Sequence, residues 1–262
     1  MTSDPRSFFV AYGDTFRATL ATRGPWSPDH QHAGPPSALL AHALESALPA
    51  GSTLVRVTVE ILRPLPIATF SLATHALRSG KKVQWLSADL LAADGALLAR
   101  ANAVAMRTTD LTLPVTGDPA SEPVSPPAEA RPFEFGFFTG NVGYHTAMEM
   151  RLARGIFGKG MVSMWMRMRV PLIEGLAPTP TQRVMIAADS GNGVSMSLDP
   201  KRFTFVNPDL TVYLHRPPVG EWVCLDARTI AQPRGIGLAD TRLLDEQGPI
   251  GRSVQSLLVD AR

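Results

Sequence analysis

Val59-Glu60-Ile61-Leu62-Arg63-Pro64 is written a second time, as Val212-Tyr213-Leu214-His215-Arg216-Pro217. Behind each Arg-Pro come two strand-like runs and an acidic turn, Ala93-Asp94-Gly95 or Glu246-Gln247-Gly248. Leu98-Ala99-Arg100 or Ile250-Gly251-Arg252 then leads into a last apolar strand. Arg63 to Arg100 is 37 residues and Arg216 to Arg252 is 36. Generic strand-turn grammar seldom holds register over such a distance, so the chain reads as a tandem duplication of one β-rich unit.

Working outward, Thr53, Val55, Val57, Val59 and Ile61 alternate with Arg56, Thr58 and Glu60, the pattern of a half-buried strand. Residues 69–77, 83–91 and 97–107 continue the sheet. Upstream, residues 16–20 read as a short strand. Pro35-Pro36-Ser37 then opens a helix running to residue 48, since proline is tolerated in a first turn whose N–H groups lack partners. Apart from His42, Glu45 and Ser46 this helix is apolar around most of its circumference, which predicts burial. An apolar helix followed by antiparallel strands is buried only when the sheet curls around it.

Residues 110–131 change to Pro, Asp, Glu, Ser and Thr and read as an extended linker. The second half starts with Phe133, Phe135, Phe137 and Phe138, then a strand over 144–153. Over 160–170, alternation puts Val162, Met164, Met166, Met168 and Val170 on one face. Methionine suits a surface adapting to apolar ligands, though an ordinary core face is the plainer reading. A helix over 181–190, ended by Gly191, precedes strands near 203–214, 221–229, 237–245 and 250–259. The expected organisation is α+β, with two tandem units at 1–109 and 132–262, each a central helix wrapped by an antiparallel sheet, around a linker at 110–131.

Across 262 residues the formal net charge is +2 and no Lys/Arg block occurs, so the electrostatic footprint of nucleic-acid binding is missing. Cys224 is the single cysteine, which rules out an intrachain disulfide and suits a reducing, cytoplasmic setting. The N-terminal residues resemble neither a secretory signal nor a membrane span.

Gly34 before an apolar helix, the strand end Ile61-Leu62-Arg63-Pro64, and Leu77-Arg78-Ser79-Gly80 resemble the first half of double hot-dog acyl-CoA thioesterases of the bacterial thioesterase II type. Val212-Tyr213-Leu214-His215-Arg216-Pro217 and Ser253-Val254-Gln255 resemble the second half. The resemblance implies hydrolysis of an acyl-CoA in lipid metabolism, by a water held between an Asp, a Ser or Thr, and a Gln, with no metal or organic cofactor. By resemblance Asp189 is the Asp and Gln255 the Gln. Eight residues before His215, where the family has a hydroxyl, this chain has Asn207. An amide orients a water through its carbonyl but offers no hydroxyl. Two other readings stay open: a non-catalytic acyl- or lipid-binding protein, and a hot-dog enoyl-CoA hydratase. The latter needs an Asp–His pair in the helix-side loop, and the sequence shows no such pairing near Asp189.

Other candidates carry less. Gly34 would let an acyl carbonyl approach the helix N-terminus. His30 and His32 flank Gln31 without carboxylates or thiols at metal-ligand spacing, so no metal is expected. No Gly-x-Ser-x-Gly elbow is present. Arg78, Lys81 and Lys82 form a basic turn that could meet CoA phosphates, Asp209 is a fallback carboxylate, and Cys224 reads as a small core residue. The sequence is silent on acyl chain length and leaves room for a homo-oligomer.

Overall fold

Pro35 and Pro36 do occupy the first turn of a helix, α1 (Gly34–Ser46), in the computed structural model, which describes residues 5–114, 123–136, 138 and 140–262. Positions 115–122 of the proline-rich stretch, and Phe137, lie outside the described residues. Residues from Gly34 to Ala41, together with Leu44, are buried, as the apolar circumference of the helix requires. Before it lies a hairpin, β1 (Phe9–Tyr12) and β2 (Thr15–Ala18); after it come β3 (Ser52–Ile61), β4 (Thr69–Ser79), β5 (Val83–Ala92) and β6 (Leu97–Arg107). The second half contains β7 (Arg131–Pro132), α2 (Tyr144–Ala147), β8 (Met148–Gly155), β9 (Met161–Met168), α3 (Pro180–Ala188) and α4 (Gly191–Val194). It ends with β10 (Phe203–Val206), β11 (Asp209–Leu214), β12 (Val223–Gln232), β13 (Ile236–Asp245) and β14 (Gly248–Ala261).

All pairings between these strands are antiparallel, and they join into one sheet in the order β1-β2-β4-β5-β6-β3-β11-β14-β13-β12-β9-β8-β7, with β10 on β14. The run β4-β5-β6-β3 is followed by its own reverse, β11-β14-β13-β12, so the duplication read from the sequence is visible as a mirrored strand order. At the centre β3 pairs with β11, and Thr58 faces Thr211, its counterpart 153 residues on. Their hydroxyls lie 3.2 Å apart, where a pseudo-twofold axis would pass. The aligned arginines also behave alike: Arg100 clamps Asp89 through 2.6 and 2.7 Å contacts, and Arg252 clamps Asp240 through 2.7 and 2.6 Å contacts. Inside the curl α1 packs on α3, whose N-terminus is capped by Thr179 and Gln182.

Several local expectations are corrected. A bulge between Leu54 and Arg56 interrupts the β3 alternation, so Leu54 rather than Val55 is buried beside Val57 and Val59. The face of β9 opposite its methionines is covered too, because Trp165 is buried and donates to the Ser125 carbonyl at 2.8 Å. The expected strand over 144–153 begins as the helical turn α2, in which Thr146 and Gly143 bond each other reciprocally. Gly191 opens α4 instead of ending α3; a Cβ there would lie 2.8 Å from both Gln255 Oε1 and Thr241 Oγ1. Asn207-Pro208 splits the expected strand over 203–214 into β10 and β11, since proline has no N–H for the ladder.

Candidate functional site

Where α3 ends and the loop before α1 arrives, four polar side chains from distant parts of the chain meet. Asp189, the residue after α3, is buried. Its Oδ1 accepts from Asn207 Nδ2 at 2.9 Å, and its backbone carbonyl accepts from Gln255 Nε2 at 3.0 Å. Gln255 Nε2 lies 3.5 Å from the same Oδ1. The structure thus brings together the three residues that the family resemblance singled out. Asn207 occupies the break between β10 and β11, and its amide also donates to the Asp209 carbonyl at 3.2 Å. Gln255, on β14, accepts from the Asn192 amide at 3.0 Å, so both ends of its amide tie the α3–α4 junction to the sheet. Gly191 has no side chain to obstruct that tie.

The fourth residue is His32. Its Nδ1 lies 3.0 Å from Asp189 Oδ2, across the interface between the two halves. Sequence reading found no histidine for Asp189, and the structure corrects this: the partner stands 157 residues earlier, in the loop preceding α1. The imidazole stacks on Tyr144 with centroids 3.8 Å apart and planes 5° from parallel. Tyr144 is fully buried; its hydroxyl donates to the Ile186 carbonyl at 2.8 Å and sits 2.9 Å from Ser190 Oγ. Burial pushes the phenol pKa up, so Tyr144 keeps its proton and serves as a fixed platform. Neither role had a signal in the sequence, because each depends on how α1, α2 and α3 pack.

His32, Asp189 and Asn207 form the polar end of a cavity of about 390 Å³ between the halves. Its apolar walls include Trp26, Leu62, Leu65, Phe135, Phe138 and Phe205, and Arg63 stands on the lining as well. Trp26 meets Phe205 edge-on at 5.3 Å. An apolar cavity with a few convergent polar groups is the usual form of a small-molecule site.

The remaining candidates fall elsewhere. Gly34 packs α1 against α3, since a Cβ there would collide with the Ile186 carbonyl; its amide lies 3.1 Å from His32 Nδ1, and it does not line the cavity. Asp209 Oδ1 accepts from the Ser256 amide at 2.9 Å. Arg78, Lys81 and Lys82 are off the lining, and the Arg78 guanidinium lies 5.3 Å from the Trp85 ring centroid. Cys224 is buried with Trp165, Trp222 and Leu244, and burial raises its thiol pKa. His30 lines the cavity, but among the described residues no three His, Cys, Asp or Glu side chains are grouped as a metal would require. No helix of the described residues is long and apolar enough to cross a membrane.

Comparison with known proteins bears on this architecture as a whole. Residues 22–108 match the family model of the acyl-CoA thioesterase N-terminal domain, and residues 117–259 that of the C-terminal domain. No protein with a curated description matches the sequence. Among solved structures, a hot-dog-fold protein of unknown function from Alicyclobacillus acidocaldarius superposes with a TM-score of 0.75 at 16% identity, covering 97% of this chain and 95% of its own. Acyl-CoA thioesterase II TesB2 of Mycobacterium marinum gives 0.68 at 14% identity, over 95% and 94% of the two chains. A tesB protein of Mycobacterium avium subspecies paratuberculosis gives 0.70 at 16%, over 96% and 95%. At these identities the superpositions speak for the double hot-dog fold, and the two family models, which span both repeats, place the chain in the acyl-CoA thioesterase family.

Proposed function

We propose that the chain hydrolyses an acyl-CoA to the free acid and CoA, with the thioester seated at the polar end of the cavity between the halves. One observation carries this reading: a buried carboxylate, Asp189, with Asn207 and Gln255 bonded to it, stands at one end of a mainly apolar cavity. Asn207 spends its N–H groups on Asp189 and the Asp209 carbonyl, which leaves its own carbonyl to accept from a water. In this role the missing hydroxyl is replaced by an acceptor that orients the water without donating. Gln255 holds Asp189 in place from behind, tied to Asn192. The apolar walls would take the acyl chain, and Arg63 the charged end of CoA.

Thiol release from a panel of short, medium and long acyl-CoAs tests the reading. At least one should be hydrolysed, and Asp189→Asn should lower kcat by about 10²–10⁴-fold while affinity for a non-hydrolysable acyl-CoA analogue changes little. Tight analogue binding without turnover of any member would mean a binding protein. Unimpaired hydrolysis by Asp189→Asn would remove the carboxylate from the mechanism. The His32–Asp189 contact favours a second reading, hydration of an enoyl-CoA, because it supplies the pair such an enzyme needs. Loss of the conjugated enoyl absorbance without thiol release would select it.

A further inference from the structure

Resting on the thioesterase reading, we infer that the proton of the attacking water is taken by Nε2 of His32, and that Asp189 acts through the imidazole. Each Asp189 oxygen already has a partner: Oδ1 faces the amides of Asn207 and Gln255, and Oδ2 faces His32 Nδ1. Nδ1 lies 3.0 Å from Asp189 Oδ2 and is also the atom at which the Gly34 backbone N–H points, at 3.1 Å, and one nitrogen cannot donate to the first and accept from the second at once. In this inference the proton sits on Nδ1, because among the described residues no other donor reaches Oδ2, and the contact with Asp189 then displaces the one from the Gly34 N–H. Nε2 is then an unprotonated acceptor with no hydrogen-bond partner among the described residues, on a ring that lines the cavity. The His32 side chain is 15% exposed and that of Asp189 3%, so the imidazole is the accessible member of the pair. The stack on Tyr144, itself pinned to Ile186 and Ser190, fixes the ring plane. Carboxylate, imidazole and nucleophile in this order form a general-base relay in which the acid orients the ring and stabilises its charged form.

The step balances without a co-reactant. Water oxygen attacks the thioester carbonyl carbon as its proton passes to Nε2, and the carbonyl π pair moves to oxygen. On collapse the C–S bond breaks, and the Nε2 proton goes to the departing thiolate. The products are the acid and CoA thiol, and the imidazole returns neutral.

Two substitutions test the inference, with wild type on the same panel. In His32→Asn an amide N–H can occupy the place of Nδ1 and still donate to Asp189, but no atom stands at Nε2. His32→Ala opens room for added imidazole. Both should lose about 10²–10⁴-fold in kcat with KM and analogue affinity near wild type, and imidazole should restore part of the loss in His32→Ala while leaving wild type unchanged. Melting temperatures accompany both, and where one variant fails to fold the other decides. Wild-type kcat in a folded His32→Asn, or no rescue of a folded His32→Ala, would overturn the inference and leave the carboxylate as base. Failure of wild type to hydrolyse any acyl-CoA would instead overturn the proposed function, and the two failures are told apart on the wild-type protein alone.

Discussion

Asn207 is the residue at which this chain departs from the pattern it resembles, and its surroundings explain how an amide serves there. A threonine at 207 would supply a hydroxyl toward Asp189 Oδ1 but lose the second N–H, now bonded to the Asp209 carbonyl at 3.2 Å. On the proposed mechanism Asn207→Thr should retain or raise kcat, at a stability cost of about 0.5–1.5 kcal/mol for the lost bond. Steady-state hydrolysis and urea unfolding of the same preparation separate the two effects. Asp245 is an aspartate of another kind. Burial raises its pKa, and the Arg216 guanidinium at 2.6 Å with the amides of Val219 and Gln247 more than reverses this, so the net shift is downward. A depressed folded pKa adds stability that is present above the unfolded value and lost as pH falls through the folded one. Asp245→Asn should therefore cost about 1.5–3 kcal/mol near pH 7. The gap from wild type in urea unfolding should close on acidification below about pH 4.

At the scale of elements, the site exists because two helices approach closely. Gly34 has no Cβ to strike the Ile186 carbonyl, so the start of α1 reaches the end of α3 and carries His32 to Asp189. The interior of α1 supports this contact through Leu40 and Leu44, both fully buried. Leu44→Ala should destabilise the protein by about 2–5 kcal/mol in denaturant unfolding, the range for a core leucine whose cavity cannot fully collapse. A loss below about 1 kcal/mol would place the helix outside the core. Helix burial was legible from the apolar circumference of residues 35–48. The helical turn α2 was not, because Tyr144 is held by bonds to Ile186 and Ser190, remote in sequence.

Across the whole molecule the repeat is symmetric in its scaffold and asymmetric in its chemistry. By the repeat alignment, Asn207 corresponds to Leu54 and Gln255 to Ala103, so the second copy alone carries the amide groups around Asp189. The Arg-Pro pairs diverge as well. Arg216 is clamped on Asp245, whereas Arg63 faces Ala92 in the alignment, has no carboxylate partner among the described residues, and lines the cavity. On the proposed function Arg63→Ala should raise KM for acyl-CoA roughly five-fold, equivalent to about 1 kcal/mol, with kcat unchanged. Added salt should shrink the difference, since an exposed charge contact is screened. An unchanged KM at low ionic strength would show that CoA binds without it.

The sequence by itself determined the duplication, the helix-in-sheet units and the identities of Asp189, Asn207 and Gln255 as residues worth watching. The duplication and the helix-in-sheet units follow from local periodicity, from turn chemistry, and from an order of elements that a linear string preserves, and the three site residues from the family resemblance. Only the tertiary structure decided that His32 faces Asp189, that Tyr144 is the platform beneath it, and that Gln255 is a strut to Asn192. Those contacts join residues far apart in the chain, and they arise from how α1 and α3 pack inside the curled sheet. No spacing rule encodes such a meeting, because what sets it is the shape left between two helices once their apolar faces have been buried.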